Sequence, residues 1–143
     1  MAGFDRYTLM NLHAALSENL LPNPSDEGRV RQHIVEMGQS VFRPLSVPQQ
    51  IEDALDMLLT KASLIADPFE QAFFMLVHVP YLQPFADINK RTSRLAANVP
   101  LFQANLCPLT FVDVPEAAYT RHSKDTDHNL RRISCLEADE RFL

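Results

Sequence analysis

Apolar residues along this chain recur mainly at spacings of three and four, the period of helices with one buried face. Leu9, Leu12, Leu16 and Leu20 predict an amphipathic helix over residues 8–20, with Thr8 placed to cap it. Residues 21–28 carry two prolines, an asparagine and a closing glycine, and predict a loop. Ile34 with Val35, and Val41 with Phe42, are short β-prone pairs on either side of Glu36, Met37, Gly38, Gln39 and Ser40, which predicts a hairpin. Ser46 and Gln49 have capping-box spacing around Pro48, and Ile51, Leu55, Leu58 and Leu59 then set a helical stripe as far as Ile65. Asp67, Pro68 and Glu70 repeat that opening for a segment over residues 69–82. The segment is apolar nearly all round, which predicts a central, buried helix, kinked or ended by Pro80.

Residues 83–89 break the pattern and read as a loop, with Asn89 as N-cap of a helix from Lys90 onward. Leu95, Ala96, Val99, Leu101, Phe102 and Leu106 continue an apolar face, and Pro100 predicts a kink near Asn98. A short extended connection over 107–114 and a helix beginning at Pro115 follow. Residues 121–129 are polar and aperiodic.

Composition narrows the class. At 143 residues, with 46% apolar and 22% charged positions, the chain is sized for one globular domain with a real core. Three glycines are few for an all-β chain of tight turns, so the fold class is mainly α. A net charge of −5, with no basic run, argues against a non-specific nucleic-acid binder. The longest apolar run is too short and interrupted for a membrane span. Cys107 and Cys135 lack metal-ligand spacing, and with no signal peptide a reduced, cytoplasmic setting is expected. The histidines are scattered: His13 among leucines reads as a packed or rim residue, and His78 as a satisfied core histidine.

Against that acidic background, residues 83–94 reverse the sign. Lys90, Arg91 and Arg94 face one carboxylate, Asp87, for a local net of +2. A loop running into a helix N-terminus, with two arginines three apart, describes a phosphate cradle. Asp87 beside it suits a magnesium ion. The same residues also describe a charged helix start that caps and solubilises itself.

The stretch Gln-Pro-Phe-Ala-Asp-Ile-Asn-Lys-Arg-Thr-Ser-Arg resembles the signature of the Fic/Doc (Fido) family, His-x-Phe-x-(Asp/Glu)-(Gly/Ala)-Asn-(Gly/Lys)-Arg-x-x-Arg. Phe85, Asp87, Asn89, Lys90, Arg91 and Arg94 fall on its conserved places. The resemblance implies a Fic-type helical bundle over residues 1–120, built around the motif loop and helix; the polar stretch over 121–143 departs from the further packing helices usual in the family and is expected to be a truncated or disordered tail. It also makes the hairpin a flap (Ile34, Val35, Glu36, Met37, Gly38, Val41, Phe42) whose edge holds an extended segment of a target protein. Gly28-Arg29-Val30-Arg31 loosely resembles the family's Gly-x-Phe/Tyr-Arg element. The family's inhibitory Ser/Thr-x-x-x-Glu-Gly/Asn pattern is absent from the sequence.

What is known of the family implies transfer of the AMP of ATP, with Mg2+, to a hydroxyl of a target protein. On that resemblance Asp87 holds the metal, while Ile88, Asn89, Lys90, Arg91 and Arg94 line the nucleotide. Two positions depart from the signature. Gln83 stands where the family carries its catalytic histidine, and a carboxamide cannot serve as a general base near neutral pH. Ile88 stands where a small residue accepts positive φ and close phosphate approach. Lys90 is shared with the Doc branch, which transfers a phosphoryl group. The expected function is therefore an adenylyl transferase of altered activity. The alternatives are an inactive nucleotide- or peptide-binding module and a Doc-like phosphotransferase.

Overall fold

The computed structural model describes residues 4–36 and 42–111. Met37, Gly38 and Val41 of the expected flap, the helix expected from Pro115, the tail over 121–143 and Cys135 lie outside the described residues. Four helices are described: α1 (Arg6–Ser17), α2 (Pro48–Leu64), α3 (Pro68–Leu82) and α4 (Asn89–Gln103), with a single 3-10 turn at Pro24–Asp26. The expected mainly helical architecture is present. Ile34, Val35, Glu36 and Phe42 carry no strand. No described helix is long and apolar enough to cross a membrane.

α1 and α3 begin at carboxylates that satisfy their first N–H groups, whereas α2 and α4 begin with no side-chain cap bond. Asp5, three residues before the expected cap, caps α1: its carboxylate accepts from the Thr8 amide at 2.8 Å and the Thr8 hydroxyl at 2.7 Å. The ionised carboxylate is the stronger acceptor, so Thr8 becomes a donor in the first turn instead of the cap. The helix stops at Ser17, and Asn19 takes the left-handed conformation at φ 57°. Leu20 therefore leaves the predicted stripe and is 61% exposed.

α2 does not use its predicted capping box. Val47 is the N-cap and makes no side-chain cap bond, and Pro48 occupies the first helical position. Ser46 thus falls outside the helix, and the Gln49 amide donates to Asp53 at 2.9 Å instead. α3 opens as its sequence predicts, with the Asp67 carboxylate accepting from the amides of Phe69 and Glu70, both at 2.9 Å.

The core follows the leucine pattern in α2, but in α1 the fully buried face is Leu9, His13 and Ser17, with Leu12 and Leu16 only half-buried. Phe4, Leu9, Val30, Ile51, Leu55, Leu58, Leu59 and Ala62 pack with Met75, Val79, Phe85 and Ala96. A smaller cluster of Ala72, Ala97 and Leu101 seals the other end of the α3–α4 pair, with Leu76 and Leu106 against it. α3 is not buried all round as expected: Phe69 and Phe73 are 56% and 67% exposed. Its buried residues, Ala72, Met75 and Val79, follow a single stripe at spacings of three and four. Arg6 ties α1 to α2 by forking to Glu52 and, at 2.9 Å, to Asp56.

Both internal prolines lie within helices that continue past them. α3 runs two residues beyond Pro80, and α4 passes through Pro100 to Gln103. The end of α3 survives because its missing donor is replaced. Pro84 has no N–H to give the Pro80 carbonyl, and the Gln83 side chain donates there instead, at 2.5 Å.

Candidate functional site

The motif loop starts where α3 ends. Gln83 closes that helix in a left-handed conformation (φ 51°), and its N–H donates to the Val79 carbonyl. Phe85 is fully buried in the core, and its ring stacks on His13 at 3.9 Å between centroids and 10° between planes. Ile88, again left-handed at φ 63°, is the N-cap of α4. The expected positive φ at this position is present, occupied by a β-branched residue that pays steric strain there.

Asn89 is not the cap but the first helical residue, and its side chain explains why. The carboxamide accepts from the Phe85 N–H and donates to the Phe85 carbonyl, both at 3.0 Å. It also donates to Gln83 Oε1 at 3.0 Å. This closed set of bonds assigns both amide orientations. Asn89 is thereby turned inward and sets the loop's shape. Gln83 has its oxygen accepting from Asn89 and its nitrogen donating to Pro80, so both ends of its carboxamide are engaged.

Two residues outside the motif hold it. His13 is fully buried, and the Gly28 N–H donates to its Nδ1 at 3.0 Å. That bond fixes the neutral tautomer, so Nε2–H donates to the Asp87 carbonyl at 3.2 Å. Burial pushes the His13 pKa down, against a smaller upward pull from the Asp87 carbonyl. Gly28 is required on two counts: its φ is 65°, and a Cβ would lie 2.9 Å from that of Ala14.

Arg31 is the second holder. Its guanidinium is fully buried and donates to the carbonyls of Gln83 (2.6 Å), His33 (3.0 Å) and Leu45 (2.7 Å). Its backbone N–H donates to the Pro84 carbonyl at 2.9 Å. Burial lowers its pKa, but a guanidinium remains charged at any physiological pH. Hydrogen bonds from a charged donor contribute about 1.5–3 kcal/mol each, which offsets the cost of burying that charge.

The remaining motif side chains line the outer face. Asp87 and Arg91 are exposed, while Lys90 and Arg94 are half-buried. One Asp87 carboxylate oxygen accepts from the Ile88 N–H at 2.6 Å. α4 starts with no side-chain cap and no acidic residue in its first turn, where Lys90 and Arg91 stand instead. The positive helix end thus carries two added cations in its first turn, and the carboxylate beside it is that of Asp87, just outside the cap. Arg94 lies over the Phe111 ring, 5.3 Å from its centroid.

Of the flap residues described, Phe42 packs its ring against Tyr81 near the end of α3, at 4.6 Å. Ile34 is 68% exposed. His78 is satisfied as expected, its ring nitrogen 2.9 Å from the Phe74 carbonyl, but it is half-buried and outside the core clusters. A hollow of about 300 Å³ lies elsewhere, lined by Arg6, Met10, Gly28, Arg29, Val30, Gln32 and Glu52, and includes no motif residue. Among the described residues, no three His, Cys, Asp or Glu side chains form a ready metal cluster.

Sequence reasoning undervalued His13 and Arg31. The signal for Arg31 was the loose match at residues 28–31; for His13 it was a lone polar residue on a leucine-rich face.

The described chain is a helical assembly around a loop that delivers a basic helix start without a side-chain cap. Residues 3–101 match the Fic/DOC family, well over half of the chain, and the chain belongs to that family. It is similar to Protein adenylyltransferase fic-1 of Caenorhabditis elegans, 29% identical over 114 residues. The match to Protein adenylyltransferase fic-1 of Caenorhabditis briggsae is 26% over 114 residues. Each alignment covers 78% of this chain, which spans only 22% of the length of these curated relatives.

Proposed function

We propose that this chain binds a magnesium nucleoside triphosphate at the N-terminus of α4, in the manner of a Fic-type adenylyl transferase, with its transfer step slowed by Gln83. The observation that carries this reading is the uncapped start of α4 with Lys90 and Arg91 in its first turn. Such an end favours an anion. Arg91 and Arg94 would neutralise the phosphates, and the target hydroxyl would come from a protein segment lying along residues 33–45.

The residues present fit magnesium. This ion commonly takes one or two carboxylates together with substrate phosphates and retains waters. Asp87 is exposed and commits one oxygen to Ile88, which leaves the other for a cation. When bound, the ion supplies charge neutralisation to the phosphates. Gln83 orients but cannot accept a proton, and it is already engaged at both ends of its carboxamide. A second reading follows from that engagement: a nucleotide-binding module without transfer. Lys90 also keeps a Doc-like phosphoryl transfer in view.

Calorimetric titration with ATP and GTP, with and without magnesium, tests the binding. Saturable, magnesium-dependent binding that Arg91→Ala abolishes is expected. A folded sample that binds neither at millimolar concentration overturns the proposal. Gln83→His then separates slow enzyme from silent binder. Restoring the base is expected to raise transfer by about two to four orders of magnitude, and unchanged transfer favours the silent binder.

A further inference from the structure

Arg31 heads the fully buried side chains in size, and it is a cation. Its donors reach carbonyls in three separate places: Gln83 in the motif loop, and His33 and Leu45 on either side of residues 37–41. Its own N–H takes the next motif carbonyl, Pro84. A guanidinium is a rigid planar fork, so displacing one acceptor displaces the geometry offered to the others. Leaving a donor of a buried cation unmatched is costly. The three backbones therefore move as a unit or lose the clamp as a unit.

We infer that Arg31 is a positioning residue that couples the anion site at the start of α4 to the backbone at His33 and Leu45. An anion that settles the motif loop thereby stiffens the segment ends on which an extended target peptide would lie. By linkage, a peptide seated there strengthens anion binding by the same factor. The coupling rests on the nucleotide reading above. What it adds is the path between the two sites, through a residue that touches neither ligand.

Hydrogen exchange of the full chain, followed by mass spectrometry with and without saturating magnesium ATP, tests it. Wild-type protein is expected to exchange several-fold more slowly at residues 32–36 and 42–46 when ATP is bound. Arg31→Lys keeps the charge but not the fork. It is expected to bind ATP still, by calorimetry, while that distant protection disappears. Protection confined to residues 83–94 in wild type, or distant protection surviving in Arg31→Lys, overturns the coupling.

If ATP does not bind, the nucleotide reading alone falls, and Asn89→Ala reads the coupling without ligand. Releasing the Asn89 bonds to Phe85 and Gln83 should speed exchange at 32–36 and 42–46. The same substitution should add nothing in the Arg31→Lys background. No change at those residues in Asn89→Ala overturns the inference. Should Arg31→Lys fail to fold by circular dichroism, the wild-type and Asn89→Ala experiments decide it.

Discussion

Ile88 shows how a single dihedral separates this chain from a relaxed version of its own loop. A left-handed conformation costs an L-residue roughly 1–2 kcal/mol, and branching at Cβ removes the local compensation that asparagine would offer. The strain sits at the cap of the helix end expected to receive phosphate. Comparing Ile88→Gly with Ile88→Ala isolates it, since both remove the same packing. Glycine is expected to be the more stable variant by about 1 kcal/mol in urea unfolding, the reverse of the order at a negative-φ site. Equal midpoints, or alanine above glycine, would mean that φ at residue 88 is not positive in solution.

At the scale of elements, what the sequence made legible was what depends on neighbours. The Asp67 cap with Pro68 and the Ile51–Leu55–Leu58–Leu59 stripe need only local chemistry, and both appear as read. Two of the misread helix starts involve a competitor for a donor or acceptor. Asp5 outcompetes Thr8 as a cap, and the Phe85 backbone captures the Asn89 carboxamide. Such contests are decided by three-dimensional proximity, which periodicity does not encode. Asn98 is another case. It accepts from the Leu109 N–H at 2.6 Å and donates to the Leu109 carbonyl at 3.1 Å, holding the segment after α4 against that helix. Asn98→Ala loses both bonds to Leu109 and a third to the Arg94 carbonyl; it is expected to cost about 1–3 kcal/mol and to speed hydrogen exchange at residues 107–111. Asn98→Asp keeps only the acceptor and should fall between. Unaltered exchange in both variants would show that the pairing does not hold the segment.

For the molecule as a whole, His13 makes acid the specific stress. Its neutral form accepts from Gly28 and donates to Asp87, and a proton on Nδ1 would set two donors against each other. Folding lowers its pKa, so the unfolded chain takes the proton first. The contribution of His13 is therefore full above the ordinary histidine value of about 6.5, and is lost progressively as pH falls below it. Urea midpoints at pH 7.5 and 5.5 should fall for wild type by more than for His13→Gln, which cannot titrate. Identical losses would remove His13 as the cause.

The bonds that shape the motif loop reach back 52 residues to Arg31 and 74 residues to His13. Closing loops of that length costs chain entropy that no contact within residues 83–94 returns. The signature is thus not portable. A synthetic peptide of those twelve residues would carry its letters without its shape, and grafting the motif onto another helical scaffold would also require transplanting a histidine, a glycine and a buried arginine from the opposite end of the chain.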